Sequence, residues 1–569
     1  MAPETFSHPA GPRSRGARAL TVVARPCLES PRGDSARVGH PRAVPVIRAL
    51  VLFLLLWPVA VAAQSPGWEE LLAAAERASD RGQVADAERL YLDAVKQAEG
   101  FGESDLRLAR SLGELGLFYR ERGRSREAAP ILHRALSVTE TAVPPDDPRL
   151  VAPLNNAGAA WLQQGLAADA EPVFRRALAI AERKLGPDDL ATGASLINLG
   201  AVYQARARYA EAEPLYRGAL QIQEKALGPA DPEVARTLSS LGALYREQGR
   251  YAEAMPFYQR ALAIVERAVG PDHIRMALPL GGMAALYNAQ GRYREAEPLY
   301  RRTLAIQERT LGPDHPALAV TLNDLGDLYR VQGRHVDAEP FLLRSIAIRE
   351  ARMGPRHPDV GITLGNLGLV YFEQRRYPQA EAAYKRALAI LDPGPGKETP
   401  VVTESLNNLA ELYRVQGRYA EAEPLYRRSL AIRERALGPE HPSVAASLNN
   451  LAALYHLQGR YVEAEPLYRR TLVILEKSVG SEHQRVGITL NNLAEVYRAE
   501  GRWGEAAAIY PRAITIVEQS LGPDHPTLAS LLENYASVLR RARRDAEALE
   551  ADERARDIRA RHAQQNQRR

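Results

Sequence analysis

The chain has 569 residues, of which 46% are hydrophobic and 25% are charged. This length is too great for one compact core, so the chain holds several domains or a repeat array, and the composition excludes a disordered low-complexity protein. The formal net charge of +5 would favour an acidic partner only if the basic excess lay in the folded body.

The basic excess lies in the first 63 residues, which hold eight Arg, no Lys and three acidic residues. Residues 64–569 carry 66 basic and 66 acidic residues, so the body is neutral overall. Only the segment 540–544 is locally basic, and a face that binds phosphates needs a larger cluster. We therefore expect no nucleic-acid partner.

The first 63 residues have two parts. Residues 1–45 are rich in Arg, Pro and Gly and predict a disordered preamble, or a start of translation assigned too early. Residues 46–63 combine Arg48, an apolar run and terminal small residues, the three parts of a secretory signal. The run contains Pro58 and is shorter than the roughly 20 residues of a spanning helix. We expect cleavage after Ala63, no stable membrane anchor, and a periplasmic or secreted protein.

A period of 42 residues dominates the chain after residue 67. It is marked by Gly186, Gly228, Gly270, Gly312, Gly354, Gly396, Gly438, Gly480 and Gly522. Within one unit, Leu448, Leu451 and Tyr455 fall at i, i+3 and i+7 on one helical face. Gly459 then permits a tight turn, after which the helical spacing resumes. Each unit is predicted to be a hairpin of two antiparallel helices.

Turn signals predict about twelve hairpins in an all-α chain. They fall at positions 82, 123, 165, 207, 249, 291, 333, 375, 417, 459, 501 and 543. We assign repeats 1–8 to 64–391, a soft hinge with two Pro-Gly pairs to 392–400, repeats 9–12 with a C-terminal cap to 401–561, and a frayed tail to 562–569.

Four turn and linker residues carry backbone predictions. Ala207, Arg375 and Arg543 replace Gly at three hairpin turns and are expected to adopt positive φ at a cost of about 1 kcal/mol each. Gly480 is expected to end its helix in a left-handed cap.

These motifs resemble a known family. The pattern of Leu-Ala, Tyr, Gly-Arg-Tyr, Glu-Ala and Tyr-Arg-Arg resembles the tetratricopeptide repeat, and LNNLAxLY, EAEPLYRRxLAI and LGPDHP resemble its kinesin light chain variety. The resemblance covers nearly all of 64–569. It implies a right-handed superhelical solenoid whose first helices line a concave groove that binds extended peptides. A motor-adaptor role is not implied, because the heptad region that pairs with a motor heavy chain is missing.

In the family this sequence resembles, groove asparagines hold the peptide backbone. The matching positions are Asn155, Asn156, Asn198, Asn323, Asn366, Asn407, Asn408, Asn449, Asn450, Asn491 and Asn492. The pattern changes to Ser239 and Ser240, then to Gly281 and Gly282, so the ladder is interrupted. An amide offers both a donor and an acceptor. These amides either bind a peptide, or hydrogen-bond within the stack or face water, and the sequence favours neither.

One turn further along the same helices lies a column of Arg246, Arg330, Arg414 and Arg498, interspersed with Asn288, Phe372 and His456. Guanidinium groups beside Asn would favour an acidic peptide. The alternative is pairing with nearby Glu, which the neutral body favours. The predicted peptide-binding groove comprises Asn323, Asn366, Asn407, Asn408, Asn449, Asn450, Asn491, Asn492, Arg330, Arg414 and Arg498.

A further column places one histidine in each of six linkers. Its members are His273, His315, His357, His441, His483 and His525. A metal ion needs several donors within about 2 Å, whereas side chains that recur once per repeat stand roughly 10 Å apart. Helix capping or linker packing is therefore expected, and no metal site.

The sequence contains no motif for catalysis. GxGxxG, GxxxxGK[ST], HExxH and GxSxG are all missing, and the only cysteine, Cys27, lies in the preamble. We predict a non-catalytic protein- or peptide-binding scaffold without a cofactor, in the bacterial cell envelope. The alternatives are a self-associating structural scaffold, or a cytoplasmic adaptor if residues 46–63 are not a signal.

Overall fold

The computed structural model describes residues 67–392, 394 and 401–567. These residues form 24 α-helices and no β-strand. The helices are α1 (Trp68–Asp80), α2 (Val84–Glu99), α3 (Leu106–Glu121), α4 (Ser125–Ala142), α5 (Val151–Gln163), α6 (Ala167–Lys184), α7 (Leu190–Ala205), α8 (Tyr209–Leu227), α9 (Pro232–Glu247), α10 (Tyr251–Val269), α11 (Ala277–Ala289), α12 (Tyr293–Leu311), α13 (Pro316–Val331), α14 (His335–Met353), α15 (Pro358–Glu373), α16 (Tyr377–Leu391), α17 (Val401–Val415), α18 (Tyr419–Leu437), α19 (Pro442–Leu457), α20 (Tyr461–Val479), α21 (Gln484–Ala499), α22 (Trp503–Leu521), α23 (Pro526–Arg541) and α24 (Asp545–Gln567).

Odd-numbered helices are the first helices of the hairpins and even-numbered helices are the second. The described chain divides into two compact units, 67–244 and 245–567, called here the N-terminal and C-terminal units; the division falls within α9. Within each unit, the two helices of a hairpin pack along each other, and second helices pack against the first helix of the following hairpin. The predicted all-α array of helical hairpins is confirmed.

Each hairpin has a core of alternating large and small side chains. In α19 and α20, Tyr468 and Leu475 are fully buried, and Ala452 and Ala464 are equally buried between the helices. The small residues let the two helices approach closely, while the large residues fill the space above and below. The sequence period therefore records one core that is repeated from hairpin to hairpin.

The Gly-Arg-Tyr motif joins neighbouring hairpins through a clamp of Arg, Tyr and Glu. The guanidinium of Arg460 lies 4.1 Å from the centre of the Tyr455 ring and 2.7 Å from a carboxylate oxygen of Glu423 on the preceding second helix. The Tyr455 hydroxyl donates to the same carboxylate. The clamp recurs at Arg334, Tyr329 and Glu297, at Arg376, Tyr371 and Glu339, at Arg418, Tyr413 and Glu381, and at Arg502, Tyr497 and Glu465.

A second ion pair links successive second helices. The second Arg of Tyr-Arg-Arg pairs with an acidic residue 36 positions earlier, as Arg470 does with Glu434 at 2.6 Å and Arg428 with Asp392 at 2.6 Å. Many charged side chains of the repeat take part in such pairs between hairpins. The equal numbers of basic and acidic residues in the body therefore partly reflect ion pairs between neighbouring hairpins.

The backbone dihedral angles confirm one prediction from the sequence, at the hairpin turns, and contradict another, at Gly480. Gly459 has φ of 72°, and Ala207, Arg375 and Arg543 have φ of 56°, 60° and 60°, so the predicted positive φ at the three non-glycine turns is confirmed. Gly480 has φ of 93° but ψ of 155°, so the left-handed cap predicted there is wrong. That extended conformation is open only to Gly and directs the chain out of the helix.

Each linker histidine caps the next first helix or, at His273, the 3₁₀ turn Ile274–Met276 that leads into it. The Nδ1 atom of His441 accepts from the backbone N–H of Ser443 at 3.1 Å, and His273, His315, His357, His483 and His525 do the same at 3.2 Å. The predicted capping is confirmed. In other hairpins Asp takes this place, as where Asp189 accepts from the Ala191 N–H.

Several predicted segments lie outside the described residues: 1–45, 46–63 and most of the 392–400 linker. Helices on both sides of that linker pack together, with Leu391, Val402, Leu406 and Ile432 in one apolar cluster. Helix α24 runs to Gln567 and includes most of the predicted tail. In the part of the chain that the structure describes, no helix is both long and apolar enough to span a membrane.

Candidate functional site: the inner face of the first helices

The first helices form the inner layer of each unit. Successive first helices contact one another directly, α11 with α13, α13 with α15, α15 with α17, and α19 with α21 in the C-terminal unit, and α3 with α5 and α5 with α7 in the N-terminal unit. Within the described residues, successive second helices are linked by long side chains, but their backbones do not approach each other as closely. Because the more closely spaced layer lies on the inside of a curved stack, the first helices present the concave face of each unit. We call it the inner face.

The predicted groove asparagines all lie on first helices, and most are buried. Asn449 and Asn492 are fully buried, Asn323, Asn366, Asn407 and Asn491 are less than one-tenth exposed, and Asn408 and Asn450 are half-buried. Most of these amides are therefore enclosed by the packed helices, and only Asn408 and Asn450 are partly accessible.

Some of these amides hydrogen-bond to one another across the stack. The side-chain N–H of Asn366 donates to the side-chain oxygen of Asn323 at 2.8 Å, and Asn492 donates to Asn449 at 3.4 Å. Asn198 donates to Asn155 in the same way in the N-terminal unit. Each bond joins residues 43 apart on successive first helices, so these amides join neighbouring repeats.

Other buried side-chain atoms of Asn and His on α17, α19 and α21 have no hydrogen-bond partner among the residues that the structure describes. These atoms are Oδ1 of Asn407, Asn450 and Asn491, Nδ2 of Asn449, and Nδ1 of His456. Each such atom costs on the order of 1–3 kcal/mol when it is kept from water. Acceptors and a donor with unmet capacity are thus concentrated on three consecutive inner helices.

The three predicted groove arginines are each paired with an acidic residue three positions earlier. Arg330 contacts Asp327 at 3.1 Å, Arg414 makes a two-point contact with Glu411 at 2.6 and 2.8 Å, and Arg498 contacts Glu495 at 2.6 Å. Burial alone would lower the pKa of Arg330 and Arg414, but the neighbouring carboxylates raise it. These arginines stay charged and bring no net charge to the face.

In two of these pairs, a tyrosine hydroxyl donates a hydrogen bond to the acidic residue. The hydroxyl of Tyr426 donates to Glu411 at 2.8 Å, and that of Tyr510 donates to Glu495. Burial, together with the nearby carboxylates, raises the pKa of both phenols. Tyr, Glu and Arg thus form a fixed polar chain from the hairpin core to the inner face.

Charged and uncharged first helices alternate from α11 to α21. The helices α13, α17 and α21 carry the acid and Arg pairs, whereas the same two positions are Ala285 and Asn288 on α11, Leu369 and Phe372 on α15, and Ala453 and His456 on α19. From α11 to α21 the inner face therefore repeats every two hairpins, or 84 residues, and Ser537 and Arg540 on α23 break this repeat.

Sequence reasoning missed two members of the arginine column and the acids that neutralise it. The 42-residue spacing also places Arg120 and Arg540 in the column. Arg540 pairs with Asp552, and Arg246 lies 3.5 Å from Glu247. The sequence does contain a signal for this neutralisation: an acidic residue stands three positions before Arg330, Arg414 and Arg498 but before none of the uncharged column positions.

The histidines within hairpins do not converge on one another. His456 lies on α19, where burial lowers its pKa, and burial likewise lowers the pKa of His133 on α4. His335 lies 3.5 Å from Glu373. In the described residues, no three His, Cys, Asp or Glu side chains are grouped closely enough to hold a metal ion.

Comparisons with known proteins agree with this architecture. The tetratricopeptide repeat profile matches residues 149–217, 193–267, 275–351, 327–392, 402–477 and 485–561, and a second tetratricopeptide repeat profile matches 108–149. No curated protein sequence matches the chain.

Three solved structures are similar to parts of this chain. BtubC (BKLC) from P. vanneervenii is 25% identical, with a TM-score of 0.36, and covers 39% of this chain and 89% of its own. Two structures of nearly identical TPR-like repeats from Podosopora anserina, described under the kinesin light chain name, are 24% and 25% identical. Both have TM-scores of 0.30, and they cover 35% and 37% of this chain and 95% and 98% of their own. With family profiles matching most of its length, this chain belongs to the tetratricopeptide repeat family.

Proposed function

We propose that the chain is a non-catalytic scaffold whose C-terminal unit binds an extended polypeptide along the inner face of α17, α19 and α21. The observation that carries the proposal is the set of amide and imidazole atoms there that have unmet hydrogen-bonding capacity. A peptide backbone supplies an N–H donor and a carbonyl acceptor at every residue, the two kinds of group that these atoms need.

The geometry suits a short extended segment. Packed helices stand about 8–10 Å apart, and an extended chain rises about 3.3 Å per residue. Each first helix therefore faces about 2.4–3 peptide residues, and α17, α19 and α21 together face about seven to nine. The uncharged stretch at Ala453 and His456 on α19 would receive the middle of that segment.

A marked preference for acidic peptides is not favoured on this stretch. Arg414 and Arg498 are occupied by Glu411 and Glu495, so an acidic ligand would have to displace a carboxylate that is already bound in good geometry. The amides then provide recognition of the backbone, and side-chain preference comes from the uncharged positions.

Selection from a random peptide display library with the full chain tests the proposal. Bound peptides should lose about tenfold or more in affinity for the double variant Asn450→Ala, Asn491→Ala, because each lost hydrogen bond is worth about 1 kcal/mol. The matched control is Gln379→Ala, which removes an exposed amide from a second helix. Peptides that bind all three proteins equally, or a selection that yields none, would refute the proposal.

We further infer that residues 46–63 export the chain to the cell envelope. The support is the sequence pattern of a basic residue, an apolar run and small residues before Gln64. Sequencing the N-terminus of the protein from the periplasmic fraction should begin at Gln64. An uncleaved chain confined to the cytoplasm would instead support a cytoplasmic adaptor. Concentration-dependent size of the purified chain alone would support the alternative of a self-associating scaffold.

A further inference from the structure

The hairpin of α19 and α20 lacks an acidic residue that both neighbouring hairpins contain. In the preceding hairpin, the hydroxyl of Tyr426 on α18 donates to Glu411, 15 positions earlier on α17, at 2.8 Å, and the following hairpin keeps the same contact. Tyr468 on α20 occupies the equivalent place, but the residue 15 positions before it is Ala453. The Tyr468 hydroxyl is therefore directed at a position without the methylene and carboxylate groups of Glu.

Three buried polar atoms around Ala453 have no hydrogen-bond partner among the residues that the structure describes. They are the hydroxyl of Tyr468, Nδ1 of His456 and Nδ2 of Asn449. Asn449, Ala453 and His456 follow one another at the spacing of a single helical face. Tyr468 and Asn449 are fully buried, whereas His456 is half-buried. We call these three polar side chains the α19 cluster, which opens to the inner face beside His456.

Another hairpin shows which group suits the tyrosine at this position. On α7, Gln204 stands at the place of His456, and its Oε1 accepts from the hydroxyl of Tyr216 on α8 at 2.9 Å. The place of His456 is therefore within hydrogen-bonding reach of the tyrosine hydroxyl. In that hairpin a carboxamide of the chain itself binds the tyrosine, whereas on α19 no side chain in the described part of the chain does so.

The chemistry of the α19 cluster requires an uncharged group that can both donate and accept. The Tyr468 hydroxyl and Nδ2 of Asn449 are donors. Burial lowers the pKa of His456, so its imidazole stays neutral at neutral pH and Nδ1 can accept. A carboxylate would leave Nδ1 without a donor, and an ammonium group would leave both donors without an acceptor. A primary carboxamide carries an N–H and a carbonyl oxygen with two lone pairs, so it satisfies all three atoms.

We propose that the α19 cluster binds the side-chain carboxamide of a glutamine in the middle of the bound polypeptide. The carbonyl oxygen accepts from Tyr468 and Asn449, and the amide N–H donates to His456. Glutamine suits the site better than asparagine, because the cluster is buried and the longer side chain reaches deeper. The half-buried Asn450 stays available to the peptide backbone. This inference rests on the proposed function and adds to it the side chain that the inner face selects.

Three synthetic peptides test the proposal by calorimetry with the full chain. Each reads acetyl-Ala-Gly-Ala-Gly-X-Gly-Ala-Gly-Ala-amide, a length of about nine residues that spans the three first helices. The central X is Gln, Glu or Met. Glu has the shape of Gln with a charge, and Met has a similar length without polar hydrogen-bonding groups. The Gln peptide should bind at least about tenfold more tightly than either of the others.

The decisive variant is Tyr468→Phe, and the control is Tyr300→Phe, which removes a buried hydroxyl at the same hairpin position on α12. The preference for the Gln peptide over the Met peptide should fall about fivefold in Tyr468→Phe and persist in the control. Without peptide, Tyr468→Phe should melt at the same or a higher temperature, because the lost hydroxyl is buried without a partner.

A second variant fills the site instead of emptying it. Ala453→Glu, His456→Arg places on α19 the acid and arginine that stand on α17. Its own carboxylate then accepts from the Tyr468 hydroxyl, as Glu411 does from Tyr426. This variant should melt at the same or a higher temperature than the original protein and bind the Gln and Met peptides with equal affinity.

Four results would overturn the proposal: equal affinities of the Gln and Met peptides for the original protein, an unchanged preference in Tyr468→Phe, no binding of the Gln peptide at about 10 mM, or a lower melting temperature of Tyr468→Phe without peptide. The last result would show that the hydroxyl already has a partner, such as a bound water. Peptides from the display selection report separately on the proposed function. If they bind but the Gln peptide is not preferred, only the choice of side chain is wrong.

Discussion

Arg330 on α13 donates a hydrogen bond of 2.6 Å to Glu373 on α15, the next first helix along the stack. The same guanidinium contacts Asp327 at 3.1 Å, and the side chains of Arg330 and Asp327 are both less than one-tenth exposed. A side chain that the sequence predicts as a ligand contact therefore also links two repeats. We expect the Arg330 side chain to stabilise the array.

Replacing Arg330 by Met should lower the free energy of unfolding by about 3 kcal/mol, because it takes the cation away from a buried carboxylate. Urea unfolding followed by circular dichroism measures the change. The control is Arg89→Met, whose pair with Asp86 is 66% and 56% exposed and should be worth less than about 1 kcal/mol. Equal losses in the two variants would show that the Arg330 pair is no more than a surface contact.

Glycine at a non-glycine turn should stabilise its hairpin. Ala207 adopts φ of 56°, which an L-residue with a Cβ atom reaches only at a cost. Ala207→Gly should therefore raise the free energy of unfolding by up to roughly 0.5 kcal/mol, after the greater flexibility of Gly in the unfolded chain is deducted. The reverse change, Gly459→Ala at φ of 72°, should destabilise by a similar amount. A loss of stability in Ala207→Gly would contradict this account.

The histidine caps make stability depend on pH. Nδ1 of His441 and of His483 can accept the backbone N–H only while that nitrogen is unprotonated. Burial, followed by the charge of a nearby arginine, lowers the pKa of both residues. Because the folded pKa lies below the unfolded value near 6.5, the unfolded chain binds more protons in the window between them. The contribution of each histidine cap to the free energy of unfolding is therefore complete above about pH 6.5 and is lost as the pH falls through the folded pKa.

The variant His441→Asp places at this cap the residue that serves at Asp189, where the carboxylate accepts from the Ala191 N–H at 2.7 Å. Its cap should persist to lower pH. Between pH 7 and 5 the free energy of unfolding of the variant should therefore fall by about 1 kcal/mol less than that of the original protein. Urea midpoints measured across that range provide the comparison. Identical pH profiles for the two proteins would mean that the His441 cap does not contribute.

The hairpins could be predicted from the sequence because their signals are local. Apolar spacing, turn glycines and linker histidines act within a few residues of their own position, and even the positive φ of Arg375 followed from its place in the period. The roles of the polar columns could not be predicted from the sequence. Asn366 hydrogen-bonds to Asn323 and Arg330 to Glu373 only because successive hairpins stack.

N-methylation of a selected peptide tests most directly whether inner-face amides recognise a peptide backbone. Affinities are measured for the peptide and for copies methylated at single backbone nitrogens, each against the original protein and against Asn450→Ala, Asn491→Ala. We expect methylation at one or more positions to weaken binding to the original protein about tenfold and to have little further effect in the variant, because both changes remove the same hydrogen bonds. Methylation and substitution whose losses simply add, or methylation without effect at every position, would contradict recognition of the backbone by these amides.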